Sequence, residues 1–170
     1  MSGYSRGLII TPGTDRQLGA CGLFRPAPSQ QRVVALPSQA IAVKNADPDM
    51  IWVSFAALCG SPLGAGDYLS LASGFTAWVI DGVPSPAVES AAGSAAAWHR
   101  FLEVLDLLHE RDVTPFLIGP GPLDWEAAAA RTAGPPSQDP SALVRIADRL
   151  AVLRRVESDE QLEDEQSSGC

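Results

Sequence analysis

Few residues in this chain could do chemistry, and their spacing narrows what that chemistry could be. Lys44 is the only lysine, against eleven arginines. A phosphate-binding loop needs Gly-x-x-x-x-Gly-Lys ahead of Ser or Thr. The glycines let backbone N–H groups wrap the phosphates, and the lysine neutralises them. Lys44 instead follows Ile41-Ala42-Val43, so that loop is absent from the sequence. Val79-Ile80-Asp81-Gly82 has the form of a strand ending on a carboxylate that could help hold Mg²⁺, but Gly82 stands where a water-positioning glutamate would follow. The plainer reading of Asp81 is a strand-end turn residue, hydrogen-bonded to nearby backbone. His99 and Glu103 are spaced i, i+4, and Asp106 extends that face; they form either half of a metal site or a solvated helix face. With two histidines in the chain and no cysteine close by, the solvated face is the expectation. No Gly-x-Ser-x-Gly elbow exists to support a Ser-His-Asp hydrolase.

The elements that must position these residues read as α/β. The clearest is a helix over 95–111, where Trp98, Phe101, Leu102, Leu105 and Leu108 make one apolar face. Strands are expected at 8–11, 32–36, 40–44, 50–55, 76–80 and 113–119, with a helix over 64–73. Residues 12–28 read as a Gly/Pro-rich loop and 45–49 as a turn. A short Ala-rich helix is expected over 124–132 and a last helix over 142–156, with Leu143, Ile146, Leu150 and Leu153 as its stripe. Strand, long helix, strand across 76–119 is a βαβ unit, which implies parallel strands covered by helices. The expected fold is therefore a small, mainly parallel sheet flanked by helices, with a C-terminal helix. The expected organisation is an α/β domain over 1–130, a linker over 131–141, a closing helix over 142–156 and a disordered tail over 157–170. Trp52, Trp78 and Trp98 fall at core positions of that scheme.

Charge and cysteine usage add bounds. The net charge is −8, but six of the 20 acidic residues follow Arg155, which leaves 14 acids against 12 basic residues, or −2, over 1–156. The body is near neutral and the tail acidic, so a nucleic-acid partner is not expected. No apolar run is long enough for an integral membrane segment, and the N-terminal apolar stretch Leu8-Ile9-Ile10 is too short for a secretory signal. Cys21, Cys59 and Cys170 are scattered and odd in number, which fits a reducing compartment, with cytoplasm as the expected location.

One stretch goes beyond composition. Trp52-x-x-Phe55-x-x-Leu58-Cys59, then Pro62, then Asp67-Tyr68-x-x-Leu71-Ala72 resembles the signature of the ZapE-like AAA-type ATPases, which include a bacterial cell-division ATPase and its mitochondrial relatives. The likeness continues through Asp81-Gly82-Val83-Pro84 and His99-Arg100-Phe101-Leu102, where the family has Arg-Arg-Phe-Ile. It runs on to a Val-x-Leu-type strand over 113–118, and to Asp148-Arg149-Leu150, similar to a closing Ser-Arg-Leu. Upstream, Leu8-Ile9-Ile10-Thr11 resembles the sensor-1 strand, although Pro12-Gly13 stand near the place of its polar residue. Gly22-Leu23-Phe24-Arg25 resembles the segment after it.

The resemblance implies an ATPase family with ATP and Mg²⁺ as cofactors, yet the phosphate loop and the catalytic acid are missing. This chain is therefore expected to have no catalytic residue and no cofactor on its own. It offers at most Arg25 and Arg100 as sensor or interface arginines; the plainer reading is a loop arginine for Arg25 and, for Arg100, a surface helix arginine pairing with Glu103 or Asp106. The family reading is a truncated or divergent ATPase. The alternative is a non-catalytic interaction module. Expected partners are a further copy, an intact ATPase subunit or a cell-division protein.

Overall fold

A computed structural model describes residues 4–47, 49–60, 62–86, 95–120, 123–125 and 140–156. Its centre is a six-stranded sheet built from β1 (Leu8–Ile10), β4 (Asn45–Ala46), β5 (Met50–Ser54), β6 (Ala77–Asp81), β7 (Thr114–Ile118) and β8 (Arg154–Val156), in the order β4-β5-β6-β7-β1-β8. Every neighbouring pair is parallel except β4 with β5. A separate antiparallel hairpin joins β2 (Arg32–Ala35) to β3 (Ala40–Val43). The expected mainly parallel α/β sheet is therefore present.

Parallel strands bury both faces, and the side-chain alternation here sorts the core into two layers. Ile51, Val53, Trp78, Ile80, Ile9 and Leu117 point to the larger layer. This is covered by α2 (Phe55–Cys59), α3 (Ala65–Gly74), α4 (Ala95–Arg111) and α5 (Pro140–Leu150). Here Trp98 of α4 packs edge-on to Trp125 and, with Phe101, against Phe55, at ring separations of 5.2–6.0 Å. Trp52, Val79, Leu8, Ile10 and Ile118 point to a smaller layer that meets Leu18 of α1 (Asp15–Ala20), and Leu23.

The structure revises three expectations. Part of the Gly/Pro-rich stretch is helical: α1 begins at Thr14, whose hydroxyl accepts from Gln17 N while the Gln17 side chain reaches back to Thr14 N. This reciprocal cap satisfies two orphan amides and starts a helix even in a short, glycine-containing segment. The closing helix ends at Leu150 rather than running to 156; the chain turns and forms β8 beside β1. The turn at 45–49 contains β4, a two-residue edge strand. Among the cysteines, Cys59 is free and buried, and Cys21 is disulfide-bonded. Among the described residues no helix is long and apolar enough to cross a membrane. Most of the expected helix at 124–132, most of the linker at 131–141 and the acidic tail from 157 lie outside the described residues.

Candidate functional site

The C-terminal ends of parallel strands are where α/β sheets commonly place ligands, because loops and helix starts converge there. Here Asp81 ends β6 at that edge. It is buried, at 5% exposure. Its Oδ2 accepts from Lys44 Nζ at 2.6 Å and from Trp52 Nε1 at 2.8 Å. Its Oδ1 has no hydrogen-bond partner among the described residues. Asp81 is thus not the backbone-bonded turn residue expected from the sequence. It anchors the chain's one lysine, which arrives from the end of β3. Lys44 N also donates to Trp52 O at 2.7 Å, so the main chain helps aim that side chain.

Arg25 lines the same cavity, about 180 Å³, together with Pro26, Pro28, Gln31 and the Asp81–Lys44–Trp52 group. Its placement follows from the turn after β1. Gln17 is buried and ties that turn: Oε1 accepts from Gly13 N and Thr14 N, and Nε2 donates to Thr11 O. Gly13 has φ +84°, and a Cβ there would meet the Ile118 side chain, so glycine suits the position on two counts. Arg25 donates to Gly13 O and, through Nε, to Asp15 Oδ1 at 2.7 Å. About half of its side chain stays exposed. The guanidinium is therefore held through both Nε and Nη2, with part of its edge left facing the cavity.

Arg100 lies elsewhere. It sits on α4, against the larger core layer, and its Nη1 donates to Cys59 O at 3.0 Å. That contact satisfies a carbonyl at the end of α2, where helix carbonyls lack intrahelical partners. Arg25 belongs with α1 on the opposite face of the sheet, so the two candidate arginines do not converge. Asp106 pairs with Arg149 at 2.6 Å and Arg145 at 3.7 Å, tying α4 to α5. It therefore takes a structural place rather than joining His99 and Glu103, both exposed. Among the described residues no three of His, Cys, Asp and Glu are grouped to hold a metal.

The group that the sequence did not reveal is Asp81–Lys44–Trp52. The residues stand 37 and 29 positions apart, and only the fold brings them together. A lone lysine and a lone strand-end aspartate were the available signals. A nucleotide with Mg²⁺ does not fit these residues as a complete site. The lysine is tied to a carboxylate on one oxygen, Gly82 replaces the water-positioning acid, and Arg25 is itself paired with Asp15 and Gly13 O.

Residues 10–157 match the family profile of the AFG1-like ATPases. The chain is also 34% identical over 83 residues to "Uncharacterized protein C115.02c" of Schizosaccharomyces pombe (strain 972). That alignment covers 49% of this chain and 17% of the yeast protein, so the chain matches about a sixth of its relative's length. No solved structure matches. With the match covering nearly the whole described fold, the chain belongs to the AFG1-like ATPase family.

Proposed function

We propose that this chain is a non-hydrolysing representative of its family, truncated or divergent, that contributes an arginine to a nucleotide held by another ATPase module. That module would lie in a partner subunit or in another part of a longer protein. The observation that carries the reading is the state of the chemistry-bearing groups at the strand ends. The single lysine is bound to the buried Asp81, while the Arg25 guanidinium is braced through Nε by the exposed Asp15 and through Nη2 by Gly13 O, with about half of its side chain exposed. A guanidinium held in this way can stabilise phosphate charge without itself binding nucleotide tightly. The resemblance to the cell-division ATPase points to a cytoplasmic setting and to a cell-division protein as a further partner.

The test is calorimetry of the purified chain with ATP and Mg²⁺, alongside phosphate release. The reading expects neither binding nor turnover by the chain alone. It further expects faster turnover by a phosphate-loop-bearing family member when this chain is added, lost on Arg25→Ala. Micromolar binding by the chain alone would overturn it.

A second reading is a stand-alone interaction module that docks an intact ATPase. It is favoured by Phe24 and Val33, which are 77% and 73% exposed near Arg25 and on the hairpin. Pull-down of an intact family ATPase that survives Arg25→Ala but fails on Phe24→Ser would favour this second reading.

A further inference from the structure

The β2–β3 hairpin carries an open strand edge whose hydrogen-bonding phase can be read from the fold. Leu36 N donates to Gln39 O, and the register pairs Val34 with Ile41 and Arg32 with Val43. Antiparallel ladders alternate hydrogen-bonded and non-hydrogen-bonded pairs. Arg32, Val34 and Leu36 therefore direct their main-chain groups toward β3. Val33 and Ala35 direct theirs outward, and β2 has no other neighbour in its sheet. The same two residues lie on the hairpin's outer face with Ala40 and Ala42. All four are exposed and apolar. The opposite face is different: Ile41 and Val43 are buried, and Val34 packs against the core. Within Arg32–Ala35 no proline interrupts the edge and Arg32 is the sole charge, so it lacks most devices that blunt exposed strands.

We propose that a second copy of this chain pairs on this edge, the two β2 strands running antiparallel about a two-fold axis through Val34. In that register Val33 of one copy stands opposite Ala35 of the other. The outward N–H and C=O groups of both residues are then all satisfied, which makes the edge self-complementary in the way a two-fold interface requires. Charge agrees with the register. Arg32 falls opposite Leu36 of the second copy, so neither arginine meets a like charge. The result is a four-stranded sheet, β3-β2-β2-β3, with a doubled apolar outer face. The contact is small, which places it among weak, concentration-dependent associations rather than obligate dimers. The inference does not depend on the role proposed for Arg25.

Sedimentation equilibrium of the full chain at micromolar to millimolar loading tests it. A monomer–dimer equilibrium is expected, and it should be lost on Ala35→Pro, which removes an outward N–H without touching the β2–β3 ladder. Val33→Glu should weaken association as well and guards against a folding defect in the proline variant. Val34→Cys reads the register directly. Facing residues at a non-hydrogen-bonded pair lie within disulfide reach, so oxidation should link two copies through position 34 well above the level given by Val33→Cys. A monomer at every concentration overturns the proposal, whatever else binds this edge. So does a dimer that is indifferent to Ala35→Pro and is not linked at position 34.

Discussion

Lys44 and Asp81 hold opposite charges 2.6 Å apart, one half exposed and the other buried. Removing a single partner from such a pair leaves the buried charge uncompensated, which costs more than the pair itself contributes. Lys44→Met should therefore destabilise the chain by roughly 1–3 kcal/mol, toward the low end because the ammonium is partly screened by water. Urea titration measures this, and the loss in Lys44→Met/Asp81→Asn should fall below the sum of the single losses, as contacting residues couple. Arg25 sets the contrast. Its pairing with Asp15 is exposed on both sides, so Arg25→Ala should change stability by less than about 1 kcal/mol. A functional loss in that variant would then reflect function rather than folding.

At the scale of elements, the hairpin is pinned at both ends by carboxylates. Asp81 holds Lys44 at its base. At its tip, Asp67 of α3 accepts from the Ser38 hydroxyl and Ser38 N, and also from Gly64 N at the start of α3. The Ser38 hydroxyl bond, then the two backbone bonds, hold the Asp67 carboxyl below its ordinary pKa. A depressed folded-state value means that the contribution is present above the unfolded value of about 4 and is lost as pH falls through the folded value. Asp67→Asn should therefore lower the urea midpoint at pH 6, with the gap from the parent narrowing as pH falls below about 4. A gap that stayed constant across that range would mean the carboxylate's charge plays no part in holding the hairpin tip.

The same elements show what the sequence made legible. Ala95–Arg111 matched because its apolar residues repeat at a helical period over 17 residues, and the parallel sheet followed from the strands around it. The closing helix was read too long because Leu153 continues its stripe, although the chain has already turned into β8. α1 was hidden by glycine and proline around it, with Thr14-x-x-Gln17 as the missed cap signal. Arg25 and Arg100 could be nominated from motif likeness, but their separation to opposite faces could not. The hairpin's two carboxylate anchors depend on contacts across 29 and 37 residues, which local patterning does not encode.

Taken as a whole, the molecule is lopsided. Among the described residues four helices cover one face of the sheet, with Trp98, Phe101 and Trp125 packed among them. On the other face, α1 and Leu23 meet a short list of strand residues, and the candidate arginine sits on that side. Regions with little buried apolar contact open first, at a free energy below that of global unfolding. Native-state hydrogen exchange under reducing conditions should therefore find the amides of Leu18 and Leu23, bonded to Thr14 O and Leu18 O, exchanging at least about tenfold faster than those in the middle of α4. The difference should persist at low denaturant and merge only near the global transition. Equal protection on both faces would mean that α1 unfolds together with the main core. The turn that braces Arg25 would then be as rigid as the sheet, and any movement of this arginine toward a nucleotide would have to come from the partner instead.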